Sequence, residues 1–151
     1  MILDERTELA DAVALNTGAA GTYLIGDQID LGSVQRDVGA GEPVYLVVTV
    51  DTTATSGGSA TLTLKVSSDS TASIATDGSA TDHIVSRTFA LASITAGATL
   101  LCVALPQEGA AYERYLGLLQ VTGTAAFTDG KLNAFLTADP NRIKAYADAI
   151  A

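Results

Sequence analysis

At 151 residues, 48% of them hydrophobic and with one cysteine and no tryptophan, the chain is sized for a single domain with its own core, and neither an intramolecular disulfide nor a Cys/His zinc set can hold it together. Its 17 acidic and 8 basic residues give a net charge of −9, scattered singly along the chain. That pattern argues against direct nucleic-acid binding, which draws on clustered Lys and Arg. No run of about 18 apolar residues offers a membrane span, and the opening Met-Ile-Leu-Asp-Glu-Arg-Thr-Glu lacks the basic and apolar regions of a secretory signal. The expectation is a protein folded in a reducing cytosol.

Residues 1–15 mix Leu3, Leu9, Val13 and Leu15 with Asp4, Glu5, Glu8 and Asp11 in no clean period, and read as an arm, an edge strand or a single helical turn. After the Gly/Ala/Thr turn at 16–21, Tyr23, Ile25, Ile29 and Leu31 predict a strand bulged at Gly26-Asp27. A Gly-Ala-Gly-Glu-Pro turn then leads into the apolar run 44–50. Val44, Leu46, Val48 and Val50 point one way, Tyr45 and Val47 the other, so both faces call for cover and the strand is expected at the centre of the fold.

The Thr/Ser/Gly stretch 51–59 reads as a linker, and 61–66 alternates Leu62, Leu64 and Val66 with Thr61, Thr63 and Lys65. Together 44–50 and 61–66 read as neighbouring strands of a sandwich. Residues 67–82 are predicted to be surface loop, with Ile74 its only sizeable apolar residue. The run 83–91 places Val85, Phe89 and Leu91 on one side, with Arg87 in the same register and in need of an edge or a carboxylate. Residues 99–105 set Leu101, Val103 and Leu105 opposite Leu100 and Cys102, and Pro106 ends the run. Two further strands are expected at 114–121 and 131–137, and the sequence changes character after 138. Seven or eight short strands without a long helix predict an all-β fold, a two-sheet antiparallel sandwich of jelly-roll type with about eight strands. Its parts are an arm or edge strand at 1–15, the jelly-roll domain at 16–137 and a tail at 138–151.

No catalytic constellation stands out. His83 is the only histidine, which rules out a metal site built from several imidazoles, and no Gly-x-Ser-x-Gly elbow accompanies it. Cys102 lies within an apolar strand and is expected to behave as a small core hydrophobe. Asp69, Asp77 and Asp82 lack the dense spacing of a calcium loop. No metal or cofactor is expected, and no enzymatic activity.

The opening Met1-Ile2-Leu3-Asp4, the segments Ile29-Asp30-Leu31-Gly32 and Arg36-Asp37-Val38-Gly39-Ala40-Gly41-Glu42-Pro43, the strand 44–50, Glu113-Arg114-Tyr115-Leu116-Gly117-Leu118, Ala134-Phe135-Leu136-Thr137, Asp139-Pro140 and Lys144-Ala145-Tyr146 follow one another in an order that resembles the capsid cement, or decoration, proteins of tailed bacteriophages. The resemblance covers most of the chain, is fairly specific only as an ordered set, and does not reach 67–82. It implies a jelly-roll structural protein on the outer surface of the virion that binds the major capsid protein, bridges its subunits and stiffens the shell against packaged DNA. It also implies a homo-oligomer, a dimer at a two-fold position, with a trimer as the alternative because a jelly roll packs well around a three-fold axis.

On that reading Ile2, Leu3, Leu9, Ile143 and Tyr146, large apolar groups on polar termini, are the capsid-contact candidates, with packing on their own domain as the competing reading. Tyr45 and Val47, on the second apolar face of 44–50, are the oligomer-interface candidates, with burial between sheets as the alternative. The competing function is a β-sandwich that binds a receptor or glycan, such as a fibre tip or adhesin, against which the missing tryptophan counts. An enzyme using His83 or Cys102 comes third.

Overall fold

The computed structural model describes residues 5–33, 38 and 41–142. Among them the short apolar runs become nine strands: β1 (Glu8–Ala14), β2 (Gly21–Asp30), β3 (Tyr45–Ser56), β4 (Thr61–Asp69), β5 (Thr81–Val85), β6 (Phe89–Ala90), β7 (Thr99–Ala104), β8 (Tyr115–Gly123) and β9 (Phe127–Thr137). The helical content of the described residues is three short 3-10 turns, Glu5–Thr7, Leu91–Ser93 and Pro140–Arg142. The first sheet has the order β1-β9-β3-β7 and the second β2-β8-β4-β5, with β6 continuing the β5 lane beside β4. Every pairing is antiparallel. Apart from the β4-β5-β6 run, each strand crosses to the sheet opposite its predecessor, which is the winding of a jelly roll.

The period of two decides what lies between the sheets. Leu46, Val48 and Val50 on β3 and Leu132, Ala134 and Leu136 on β9 meet Leu62, Leu64 and Val66 on β4 and Leu116 and Leu118 on β8 in one core. Each large aliphatic side chain buried there contributes about 1.5–3 kcal/mol relative to exposure. β3 lies in the interior of the first sheet, between β9 and β7, as its two apolar faces predict. The expectation that 44–50 and 61–66 are neighbours in one sheet is corrected, because β3 and β4 belong to opposite sheets and face each other across the core. The alternation in each strand reports an inward face and is silent on which strand lies beside it.

Two expected loops are partly strand. β3 runs on through the supposed linker to Ser56, where Ala54 is buried and its N–H donates to the Ile94 carbonyl at 2.9 Å. β4 runs on to Asp69, with Ser67 and Ser68 fully buried. The run 83–91 is broken instead. At the break the Leu64 N–H donates to the Ser86 hydroxyl at 2.9 Å, and beyond it the facing changes, leaving Val85 57% exposed and Phe89 buried. Arg87 resolves its register by lying over the Phe89 ring, 4.8 Å from its centroid.

β1 is an edge strand beside β9, and it also runs close to β2 in the other sheet. Gly26 adopts φ +66° there, and a β-carbon would fall on the Leu9 carbonyl oxygen, so the approach needs glycine for both conformation and space. The expected bulge of β2 coincides with it, as a register shift between Ile25 and Ile29. Nearby, the 15–20 connection is held by Gln120, a fully buried amide facing the core. Its Oε1 accepts the Asn16 N–H at 2.8 Å, and its Nε2 donates to the Asn16 carbonyl at 3.1 Å and to Thr122 Oγ1 at 2.7 Å.

Candidate interaction surface

The outer faces of the two sheets are built differently. On the second sheet, the outward row of β8 includes Leu119 and Gly117, and the connection 70–80 folds back over it. Ile74 is buried there, and Asp69 fastens the turn by accepting the Thr71 N–H at 3.1 Å on one oxygen and the Ala75 N–H at 3.0 Å on the other. These donors, Ala75 before Thr71, hold the Asp69 carboxyl below its ordinary pKa. Asp77 closes the far end of the loop on the Ser79 N–H at 2.9 Å and hydroxyl at 2.6 Å. Charge decorates this side, with Lys65 Nζ 2.7 Å from Asp82.

On the first sheet, the outward row of β3 is Tyr45, Val47 and Thr49. Val47 stands between Phe135 on β9 and Cys102 on β7, Tyr45 between Thr137 and Ala104, and Thr49 opposite Asn133. The result is an apolar strip bordered by uncharged polar groups, a chemistry suited to a protein partner. Within it Val47 is only 2% exposed, and Phe135 and Thr49 are also buried, while Tyr45 is half-buried and Cys102 exposed. Of the two oligomer-interface candidates, then, Tyr45 is the one that reaches the surface and Val47 backs it.

The expectation that Cys102 belongs to the core is corrected. It is on β7, at the edge of its sheet, on the face opposite Leu101 and Val103. Its strand is apolar on both faces, and only the sheet order reveals which face has a second sheet against it. Leu9, expected as an outward anchor, is corrected too. It is 1% exposed and packs in the domain's own core, because β1 is a paired strand whose inward row it occupies. Ile2, Leu3, Ile143 and Tyr146 lie outside the described residues. Phe135 was legible in the sequence but not singled out, since it interrupts the inward row of Leu132, Ala134 and Leu136 as Val47 interrupts that of β3.

Around His83 the structure gathers groups that resemble a catalytic set but are wired otherwise. Ser68 Oγ is 2.7 Å from His83 Nε2, and the same oxygen accepts the Glu113 N–H at 3.0 Å. Asp82, the acidic neighbour, bonds Ser67 Oγ at 2.6 Å and Lys65 rather than the imidazole. Against the cost of burial, Lys65 and Ser67 keep its carboxyl below the ordinary pKa. A fully buried hydroxyl already held by a backbone N–H has no path to a substrate, so the Ser68–His83 pair is not a nucleophile and base. Among the described residues no group of three His, Cys, Asp or Glu is placed to hold a metal ion.

No curated protein matches the chain. A family model does, Bbp16, over residues 9–136, a span that begins on β1, ends on β9 and takes in the whole sandwich. The chain therefore belongs to the phage-related Bbp16 family.

Proposed function

We propose that the chain is a capsid cement protein, which binds the outside of a phage head, bridges neighbouring major capsid protein subunits and helps the shell resist the pressure of packaged DNA. The observation that supports it best is that segments carrying the resemblance, far apart in sequence, are contact partners in one body. Residues 29–32 meet 113–118 along β2 and β8, where the Leu31 N–H donates to the Arg114 carbonyl at 2.7 Å. There the Asp30 carboxylate accepts Arg114 Nε at 3.0 Å and Nη2 at 2.9 Å. Strand 44–50 likewise pairs with 134–137 along β3 and β9. Membership of a phage-related family over the whole sandwich points the same way.

A jelly roll with antiparallel sheets and a continuous core is a stiff body, which a bridging protein needs. In this reading Ile2, Leu3, Ile143 and Tyr146 anchor it to major capsid protein, and copies associate through the Tyr45 face as a dimer or trimer. Linked contacts on a repeating shell then raise effective affinity by about 10² or more over a single contact. The test is to mix the purified protein with heads lacking it, and to measure co-sedimentation and the temperature at which DNA escapes. Saturable binding that raises this temperature supports the cement role. Absence of binding to intact heads overturns it and turns attention to receptor or glycan binding.

A further inference from the structure

Segment 105–114 carries the chain from β7 in the first sheet to β8 in the second. It is fastened to itself by the Tyr112 hydroxyl, which donates to the Pro106 carbonyl at 2.8 Å, and by the Gln107 amide, which donates to the Leu105 carbonyl and also ties the segment to the Val38 carbonyl. Its hold on the outer edge of the second sheet is concentrated on three contacts. The Tyr112 ring stacks on His83, with centroids 4.0 Å apart and planes 20° from parallel. The Glu113 N–H donates to Ser68 Oγ, and Thr81 Oγ1 donates to the Glu113 carboxylate at 2.8 Å.

The protons in this cluster can be placed. Ser68 is fully buried, and its oxygen receives the Glu113 N–H, so its own hydroxyl proton needs an acceptor. Among the described residues the acceptor in reach is His83 Nε2, so the hydrogen-bond network assigns a neutral imidazole with its proton on Nδ1. We propose that His83 is a pH-operated clasp: a proton on Nε2 removes the acceptor of the Ser68 hydroxyl, leaves that buried proton without a partner, weakens the link and releases segment 112–113 from β4 and the edge strand β5.

The groups facing the ring come from three elements. Asp82 on β5 and Glu113 on the crossing segment favour the charged imidazole, while Lys65 on β4 is bound to Asp82 and offsets it. Burial, the largest influence, works the other way and holds the imidazole below its ordinary value of 6.5. A group whose pKa is depressed in the closed state stabilises that state fully above the ordinary value and loses its effect as pH falls through the depressed one. The clasp therefore starts to weaken below about pH 6.5 and is shut at neutral pH. This inference does not depend on the cement reading.

His83 is the only histidine, so its ring resonances report one group without ambiguity. The experiment follows these resonances by NMR from about pH 8 to about pH 4.5, together with amide exchange at Glu113 corrected for intrinsic chemistry. Protection of Glu113 is expected to start falling below about pH 6.5 and to level off once pH has passed the midpoint of the imidazole titration, by about tenfold in all for each unit separating the closed and released pKa values. His83→Gln, which keeps an acceptor but cannot titrate there, is expected to abolish the step, as is Ser68→Ala. An imidazole that stays neutral throughout, a titration that leaves Glu113 unaffected, or a step that persists in either variant overturns the clasp. If neither variant folds, the wild-type curves decide it: a fall in Glu113 protection that levels off at the imidazole midpoint supports the clasp, and one that continues below that midpoint overturns it.

Discussion

Ile74 occupies the space above Gly117 that a β-carbon would need: a methyl added at residue 117 collides with Ile74 Cδ1 and comes within 3.1 Å of Leu24 Cδ1. The glycine is thus the socket, and the single large apolar residue of the 70–80 connection is the plug. Gly117→Ala is expected to cost about 1–3 kcal/mol by overpacking. Ile74→Ala should cost about 2–4 kcal/mol, part of it as local opening of the loop. Because both substitutions act on one cavity, the double variant is predicted to be less unstable than the sum of the two, measurable in a denaturant double-mutant cycle. Strict additivity would refute the plug-and-socket contact.

Gln120 is the only buried amide side chain among the described residues, and it holds both backbone polar groups of Asn16. Gln120→Leu matches its volume roughly and suits its core-facing position, yet strands the Asn16 groups. The expected loss is about 0.5–1.5 kcal/mol, the net worth of a typical hydrogen bond, because Asn16 is an exposed residue and its contacts with Gln120 are only part-buried. Accelerated amide exchange confined to 15–20 would locate the damage at the clip, and a variant as stable as the parent would show that water replaces Gln120 there.

How much of this was readable beforehand follows from what each signal reports. Strand after strand was legible from alternation, and so was the bulge at Gly26, because both are local. Partner choice was not: Leu62 and Leu64 alternate identically whether β3 lies beside β4 or across from it. The same blindness misplaced Cys102, whose strand has apolar residues on both sides. Ile74 stood out as an isolated hydrophobe, but its target, Gly117, lies 43 positions away in sequence and carries no side chain to advertise itself. Leu9 misled for a related reason, since the bulges of β1, which shift its register against β9, hide the period that would have marked it as core.

Acid is expected to loosen the 70–80 connection as well, through Asp69 and in a separate pH range from the histidine. Its pKa lies below the ordinary 3.8 because the Ala75 and Thr71 N–H groups favour the carboxylate. A depressed carboxyl stabilises the fold fully above that ordinary value, and the effect disappears as pH falls through the lower, folded-state value. Amide protection at Thr71 and Ala75 should therefore be flat near neutrality and drop only below about pH 3.8. Asp69→Asn is predicted to remove this acid dependence and to weaken the loop at all pH values. Protection that persists in strong acid would mean that Ile74, not Asp69, is what holds the turn.

Cys102 tests both the sheet assignment and the association face. An exposed thiol on an edge strand is predicted to react with a maleimide in the native protein at a rate within about tenfold of that in the unfolded chain. Cys102→Ser should shift stability by no more than about 0.5 kcal/mol, the usual range at a surface position. A buried cysteine would do neither. Since Cys102 is the cross-strand partner of Val47 and shares the outward face with Tyr45, association through that face must cover it. Labelling measured across a dilution series is therefore expected to slow as the oligomer forms, and Tyr45→Glu, by placing a charge in the apolar strip, should restore fast labelling at high concentration. Labelling that is independent of concentration, in a protein shown by sedimentation to self-associate, would move the interface to another face of the sandwich.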